Sequence, residues 1–302
     1  MEGSLSVGSI VAIQSLMASF TGPIKALVDL GGQLQKVKGD IARLDDVETH
    51  SVYTGRGPSD EGEREGPALD NVSFGYSPVD PPLLTGVSLE LRPGARVALV
   101  GGSGCGKSTL GRLAAGILSP REGEIRIDGY PIETIPPHVF AATVSYVDQD
   151  IFLFEGTVRD NLSLWNSSTP TRSLTQALKD AAIHEEVMER PGQYEGMLEE
   201  GGMNYSGGQR QRLEIARALA SDPRILILDE ATSALDSVTE KLVDDNLRRR
   251  GCTCLIIAHR MSTIRDCDEI IVLDRGQIVE RGTHDDLLAA NGAYTRLIGI
   301  EG

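Results

Sequence analysis

Two glycine-rich segments of this sequence have the residue types that hold phosphate groups. The first runs Gly101-Gly102-Ser103-Gly104-Cys105-Gly106-Lys107-Ser108-Thr109 and fits the pattern G-x-x-x-x-G-K-[ST]. Its glycines let the backbone turn N–H groups toward phosphate oxygens. We therefore expect this loop to bind a nucleotide, with Lys107 at the β- and γ-phosphates, the Ser108 hydroxyl at Mg²⁺ and Thr109 at the α-phosphate.

The second segment is Tyr205-Ser206-Gly207-Gly208-Gln209, which precedes a predicted helix. A helix N-terminus that begins with serine and glycine is a ready anion site, because unpaired N–H groups and the helix dipole both favour negative charge. By itself the segment would be interpreted as an ordinary surface turn. The phosphate loop upstream makes a second phosphate contact the preferred interpretation.

Two acids, Asp229 and Glu230, end the apolar run Ile225-Leu226-Ile227-Leu228. Four consecutive aliphatic residues predict a strand buried on both faces, which argues against a surface acid pair. We expect Asp229 to reach the Mg²⁺ shell and Glu230 to orient or deprotonate an attacking water. His259 ends another apolar strand, Leu255-Ile256-Ile257-Ala258, which we expect to lie beside the strand of Asp229.

The surrounding pattern predicts the elements that position these residues. The strand Val97–Val100 precedes the phosphate loop, and a helix follows it with one apolar face. That face comprises Leu110, Leu113, Ala114 and Ile117. Short alternating strands before Val100 and at Glu124–Gly129 predict an antiparallel patch, residues 151–220 are mostly helical in pattern, and residues 223–282 return to strands.

These motifs, in this order, resemble the nucleotide-binding domain of ATP-binding-cassette (ABC) transporters. The resemblance identifies residues 101–109 as the Walker A loop, Asp229 and Glu230 as the Walker B pair, and residues 205–209 as the signature L-S-G-G-Q with tyrosine in place of leucine. It assigns further roles to single residues. They are Tyr76 as the aromatic that stacks on adenine, Gln149 as the glutamine that senses Mg²⁺ and contacts the membrane domain, Asp236 at the end of the D-loop Ser233-Ala234-Leu235-Asp236, and His259 as the switch histidine.

The resemblance implies an α/β fold: a P-loop NTPase (RecA-like) core with an antiparallel β subdomain and an α-helical subdomain at about 151–220. It also implies a head-to-tail homodimer that holds two ATP molecules with Mg²⁺. In that dimer the Ser206–Gln209 segment of one copy closes over the γ-phosphate held by its partner's Lys107 loop. Glu230, His259, Gln149 and Lys107 are then the residues expected to carry hydrolysis.

Composition sets limits on function and location. The net charge of −15 over 302 residues argues against a general nucleic-acid surface. The four cysteines fit a reducing compartment. Cys252 and Cys254 have no second pair of metal ligands, so we interpret them as core residues.

The N-terminal part reads differently from the rest. Gly3–Ile24 carries no charge, and a stripe of aliphatic residues at helical spacing follows it to Leu44. By the resemblance, residues 1–48 are the end of a last transmembrane helix, residues 49–67 are a flexible linker and residues 68–302 are the ATPase domain. The chain would then be a fragment of a transporter that works at the cytoplasmic face of the plasma membrane. The resemblance leaves open whether this fragment is soluble by itself. A plain amphipathic helix docked on the domain is the alternative for residues 1–48.

The nature of the transported substrate is the least constrained expectation. Residues 151–162 look like those of exporters. The run from Asn204 to Arg217 is similar to that of bacterial exporters of bacteriocins and related peptides, and Glu214 is the residue in it that favours this group. Peptide export is the preferred interpretation, with lipid or drug export as the alternative. Two rival classes are an ABC ATPase without a transport role, which usually carries two cassettes or a long coiled-coil insertion, and a binding module that does not hydrolyse.

Overall fold

The computed structural model describes residues 66–258 and 260–301. The predicted segment 1–48 and nearly all of the predicted linker 49–67 lie outside the described residues, as does His259. Within the described ranges, no helix is both long enough and apolar enough to cross a membrane.

The strands and helices that the structure describes are named in chain order. The strands are β1 (Pro67–Phe74), β2 (Leu84–Glu90), β3 (Arg96–Val100), β4 (Glu122–Ile127), β5 (Tyr130–Pro131), β6 (Val144–Val147), β7 (Gly156–Thr157), β8 (Met197–Leu198), β9 (Ile225–Asp229), β10 (Thr253–Ile257), β11 (Glu269–Asp274) and β12 (Gln277–Gly282). The helices are α1 (Lys107–Ala114), α2 (Pro137–Thr143), α3 (Val158–Ser163), α4 (Thr171–Asp180), α5 (His184–Glu189), α6 (Gly207–Ala220), α7 (Ser237–Arg250), α8 (Met261–Arg265), α9 (His284–Ala290) and α10 (Ala293–Glu301).

The central sheet has the strand order β12-β11-β3-β10-β9-β6. Its strands pair in parallel except β12, which runs antiparallel to β11. The predicted neighbours β9 and β10 do pair, with Asp229 opposite Ile257. Because parallel strands end at one edge, the phosphate loop after β3, the acids at the end of β9 and Gln149 after β6 all follow the same edge of the sheet.

Strands β3, β9 and β10 are buried along their whole length, because both faces of the sheet are covered. Side chains alternate between two apolar clusters. On β9, Ile225 and Ile227 point toward the cluster that contains α1 and the antiparallel strands. Leu226 and Leu228 point toward the cluster that contains the α4 and α6 side chains.

A second, antiparallel sheet has the order β2-β1-β4-β5 and covers the α1 side of the central sheet. Residues 151–220 contain α3 to α6 and the short ribbon β7-β8. Together these regions are an α/β P-loop core with an antiparallel β subdomain and a helical subdomain, which confirms the predicted fold class.

One detail of the predicted helix after the phosphate loop is wrong. Helix α1 ends at Ala114, and Gly116 turns the chain with a φ of +65°. Ile117 therefore leaves the apolar face and is exposed. The sequence pattern extended the helix because the spacing of Ile117 is helical, whereas the left-handed glycine stops it.

Candidate functional site

The phosphate loop is shaped by two glycines that no other residue could replace without movement. A Cβ on Gly101 would lie 2.2 Å from the carbonyl oxygen of Leu273. Gly106 precedes α1 with a φ of +106°, and a Cβ there would lie 2.7 Å from Leu84. The loop thus presses against β11 and β2 while its chain turns into the helix.

Lys107 lies inside this loop rather than in solvent. Its side chain is buried, and its ammonium Nζ donates to the carbonyl oxygens of Gly101 at 2.8 Å and Gly102 at 3.1 Å. A buried ammonium needs such acceptors, and phosphate oxygens are stronger ones than neutral carbonyls. The loop therefore presents a positive charge that can exchange backbone oxygens for the oxygens of a bound anion.

Cys105 is also part of the loop, and its thiol is buried. Burial raises its pKa, against the nearby positive charge of Lys107, which lowers it. A thiol held protonated is a poor nucleophile, so the side chain contributes packing rather than chemistry.

Tyr76 follows β1 and connects the antiparallel sheet to the loop. Its hydroxyl shares a hydrogen bond of 3.1 Å with the Thr109 hydroxyl. Phe74 supports the ring edge to face, with 5.1 Å between the ring centroids. The Tyr76 side chain is 64% exposed, which leaves ring surface available for stacking beside the phosphate loop.

Asp229 is the most buried acid of the site, with no exposed surface. Its Oδ2 accepts a hydrogen bond of 2.8 Å from the Tyr146 hydroxyl on β6, while its Oδ1 is buried without a hydrogen-bond partner among the described residues. Burial raises the pKa of Asp229, and the hydroxyls of Tyr146 and Ser108 lower it. A carboxylate oxygen without a hydrogen-bond partner among the described residues, near a serine hydroxyl, suits a hard cation such as Mg²⁺, which proteins coordinate through a few oxygen atoms.

Glu230 comes directly after Asp229 but has a different backbone. Its φ of +50° lies in the left-handed region, which costs a non-glycine residue about 1–3 kcal/mol. Its N–H donates to the carbonyl of Ile257 at 2.9 Å, and its carbonyl accepts from Gln211 at 3.2 Å. These contacts hold the backbone of Glu230 in the turn that follows β9.

The other two residues predicted near this edge differ in what the structure describes. Gln149 follows β6, the neighbour of β9, and is exposed. His259 follows β10 in the sequence but lies outside the described residues.

The Ser206–Gln209 segment begins α6 with two reciprocal hydrogen bonds. The Ser206 hydroxyl accepts from the Gln209 N–H at 3.3 Å, and the Gln209 side-chain oxygen accepts from the Ser206 N–H at 2.9 Å. Gln209 also donates to Glu186 at 2.6 Å and is therefore a structural residue of the helix start. Within the described part of the chain, no hydrogen bond joins this segment to residues 101–109.

Tyr205, the tyrosine that stands where the family signature has leucine, is buried. The Arg190 guanidinium lies 3.7 Å from the centroid of its ring, a cation–π contact. The Tyr205 ring thus packs against Arg190, while Ser206 makes its hydrogen bonds with Gln209.

Asp236 begins the next helix, α7. Its carboxylate accepts from the N–H groups of Val238 and Thr239, each at 3.0 Å, and from the Thr239 hydroxyl at 2.7 Å. Those hydrogen bonds, the Thr239 hydroxyl first, lower its pKa. The structure therefore gives Asp236 a capping contact in addition to the nucleotide contact expected from the sequence.

Two residues of the site were missed by the sequence analysis. Tyr146 holds Asp229, and Gln211 holds the backbone of Glu230. The pairing of β6 with β9 explains the first and the packing of α6 explains the second, and neither is visible as a short motif. The only signal available was their proximity in sequence to Gln149 and Ser206.

Comparison with known proteins supports the family resemblance. The model of the family described as "ABC transporter" matches residues 84–233. The chain is 38% identical to the lactococcin-G-processing and transport ATP-binding protein LagD of Lactococcus lactis subsp. lactis, over 99% of this chain and 43% of that protein. It is 38% identical to the toxin RTX-I translocation ATP-binding protein of Actinobacillus pleuropneumoniae, over 97% of this chain and 42% of that protein.

A leukotoxin translocation ATP-binding protein, LktB of Mannheimia haemolytica, is 37% identical over 98% of this chain and 42% of its own length. The chain thus spans less than half the length of the curated relatives it matches. Among solved structures, a bacterial Atm1-family ABC exporter with ATP bound is similar, with a TM-score of 0.79 and 35% identity. That match covers 99% of this chain and 53% of the exporter chain.

Proposed function

This chain belongs to the ABC transporter family and carries its nucleotide-binding domain, and we propose that two copies of it bind and hydrolyse ATP to drive export of a peptide across a membrane. The observation that carries the proposal is the edge of the central sheet. There a buried lysine follows β3 in a phosphate loop, a buried aspartate ends β9 with one oxygen that has no hydrogen-bond partner among the described residues, and a strained glutamate follows it.

Each residue has a defined task in this proposal. Lys107 binds the β- and γ-phosphates of the substrate ATP, and Tyr76 stacks on its adenine. Ser108, Asp229 and Gln149 would hold Mg²⁺, which supplies positive charge to the phosphate oxygens when bound. Glu230 orients and deprotonates the attacking water, and His259 contacts the γ-phosphate.

The proposed dimer supplies what one copy lacks. The N-terminus of α6, with Ser206, Gly207 and Gly208, binds the γ-phosphate of the ATP held by the partner subunit. The dipole of a helix and the N–H groups of its first turn favour an anion at this terminus. Each ATP is then bound from two sides, and closure follows ATP binding as a population shift.

The proposed substrate of export and the membrane partner come from the relatives. LagD is named for lactococcin G, and the two other relatives are named for toxins. We propose that this chain acts at the cytoplasmic face of a membrane beside a transmembrane domain of the same transporter, and that its cargo is a peptide. Loss of a secreted peptide from the culture medium after deletion of the gene, restored by the wild-type gene only, is expected; a medium with unchanged peptide content would contradict this cargo.

The nucleotide site itself is tested with Lys107→Ala in the 302-residue chain. Because the substitution removes a charge-assisted contact, we expect ATP affinity to fall by about 10- to 100-fold, measured by titration of a fluorescent ATP analogue. Lys179→Ala, at an exposed lysine on α4, is the control and should bind as the wild type does. Equal affinity in all three proteins would contradict the proposed site.

A further inference from the structure

Gln211 connects the start of α6 to the segment that carries Glu230. Its side chain is only 1% exposed. Its Nε2 donates to the Glu230 carbonyl and to the Ser233 hydroxyl, both at 3.2 Å, and its Oε1 accepts from the Ala234 N–H at 2.9 Å. The buried Gln211 amide on α6 thus makes hydrogen bonds to three groups of the turn that follows β9.

The beginning of α6 lies against the same turn. A Cβ built on Gly208 would be 3.1 Å from the Ala234 carbonyl oxygen, closer than ordinary van der Waals contact. A side chain at this position would require the Ala234 carbonyl to move by a few tenths of an ångström. The anion-binding end of α6 and the turn after Glu230 are therefore in direct contact.

The opposite side of the turn is held by Arg260. Its guanidinium donates to the carbonyl oxygens of Ser233 at 2.9 Å and Leu235 at 2.8 Å. It also pairs with the buried carboxylate of Glu240 at 2.9 Å, which in turn accepts from the Thr263 hydroxyl at 2.6 Å. The turn is thus anchored by Arg260 on one side and linked to α6 by Gln211 on the other.

In the proposed function, on which the following inference rests, Ser206 binds the ATP held by the partner subunit and Glu230 acts on the ATP held by its own chain. We propose that Gln211 is a positioning residue that fixes the backbone of Glu230 relative to the N-terminus of α6. The Glu230 backbone is strained, and a hydrogen bond to its carbonyl helps to hold that conformation. Binding of the partner's γ-phosphate by α6 then sets the position of Glu230 in the other ATP site of the dimer.

The test compares Gln211→Met, which keeps volume and removes every hydrogen bond, with Asn246→Leu as a matched control. Asn246 is also a buried amide and donates to Lys179 and Asp180 carbonyls, where α7 packs on α4. A positioning role predicts that Gln211→Met lowers kcat by about 10- to 100-fold and leaves KM for ATP and the affinity for an ATP analogue unchanged. Asn246→Leu should lower Tm and leave kcat unchanged, because its amide donates to the end of α4 rather than to the turn after β9.

Gln211→Glu is the second variant, and it tests the positioning role if Gln211→Met does not fold. A glutamate keeps an acceptor for the Ala234 N–H but offers no amide donor to the Glu230 carbonyl, so kcat should fall here too. A wild-type chain that hydrolyses ATP beside two folded Gln211 variants with wild-type kcat overturns the positioning role and leaves the proposed function intact. A wild-type chain that releases no phosphate overturns both.

Discussion

Asp229 and Glu230 are neighbours in the sequence, yet the structure gives them different environments. Asp229 ends a buried strand with one oxygen held by Tyr146 and the other unpartnered among the described residues. Glu230 follows in a left-handed conformation and is only partly buried. Cation binding needs a fixed carboxylate and water activation needs a reachable one, so the change of backbone at residue 230 fits the two proposed tasks, cation binding by Asp229 and water activation by Glu230.

Glu230→Gln tests the second task at the scale of one side chain. The amide keeps the size of the carboxylate and one acceptor oxygen, but it replaces the second oxygen by an NH₂ donor and cannot take a proton. We expect kcat for phosphate release to fall by at least about 100-fold, while ATP affinity stays at the wild-type level. Parallel assays of phosphate release and of ATP-analogue binding separate the two effects; hydrolysis at the wild-type rate would remove Glu230 as the base.

Glu214 is a second acid with an unusual environment, and it lies on α6 away from the nucleotide loop. Burial raises its pKa from the ordinary 4.5 to about 7, against Arg217, which lowers it, and with Asp148, which raises it further. Its Oε1 accepts from Arg217 at 2.8 Å, and its Oε2 is buried without a hydrogen-bond partner among the described residues.

The raised pKa predicts how stability depends on pH. Between pH 4.5 and about 7 the folded chain binds the Glu214 proton more tightly than the unfolded chain, so this group favours folding at the acid end, and its contribution falls as the pH rises through 7. In Glu214→Gln this contribution disappears, so Tm should rise relative to the wild type at alkaline pH and the difference should shrink toward pH 5. Glu185→Gln, at an exposed glutamate on α5, should show no such pH-dependent difference in thermal melts. A wild-type-like pH profile in Glu214→Gln would show that Glu214 titrates normally.

At the scale of an element, α6 has two constraints at its start. Ser206 and Gln209 satisfy each other's N–H groups, which stabilises the first turn. Gly208 lies against the Ala234 carbonyl, whereas a Cβ on Gly207 would lie 4.0 Å from the Ala234 Cβ, an ordinary contact. The two glycines are adjacent in the signature but differ in how much space surrounds them.

The different surroundings of Gly207 and Gly208 predict that substitution by alanine has opposite effects on Tm at the two positions. Alanine favours a helix over glycine by about 0.5–1 kcal/mol, so Gly207→Ala should keep or raise Tm. Gly208→Ala should lower Tm, because its methyl group would push against a carbonyl whose residue is held by Gln211. Thermal unfolding without nucleotide compares the two variants directly. A higher Tm for Gly208→Ala than for Gly207→Ala would mean that the backbone of the turn after Glu230 can shift to make room for the added methyl group.

At the scale of the whole molecule, the described residues contain two proposed phosphate contacts on separate parts of the fold. The Lys107 loop follows β3 in the central sheet, and the Ser206 segment begins α6 in the helical region. In the proposed dimer, the Lys107 loop of one copy and the Ser206 segment of its partner bind the same ATP, which gives both segments a role in one reaction. Under this proposal, association of the two copies depends on ATP.

Ser206→Arg tests that dependence. A large cation at the helix start should prevent a partner from closing there while the chain still binds ATP through its own Lys107 loop. In a hydrolysis-deficient Glu230→Gln background with ATP, light scattering should give a dimer mass for the parent and a monomer mass for Ser206→Arg. Ser221→Arg, at the exposed C-terminal end of the same helix, is the control and should dimerise. A dimer mass for all three proteins would contradict the proposed interface.

The sequence by itself determined the family, the fold class and the order of the motifs. Local patterns were sufficient because a glycine-rich loop between a strand and a helix, or an apolar run that ends in two acids, depends on neighbours along the chain. The same reasoning extended α1 to Ile117 in error, since the spacing of apolar residues does not report the left-handed turn at Gly116. The roles of the single site residues stay predictions.

Only the tertiary structure decided which distant residues support the site. Tyr146 reaches Asp229 because β6 pairs with β9, and Gln211 reaches Glu230 because α6 packs against the turn after β9. Both contacts join residues whose separation in sequence carries no pattern. Strand order and helix packing are set by the burial of apolar surface over the whole domain, and a short motif contains no information about either.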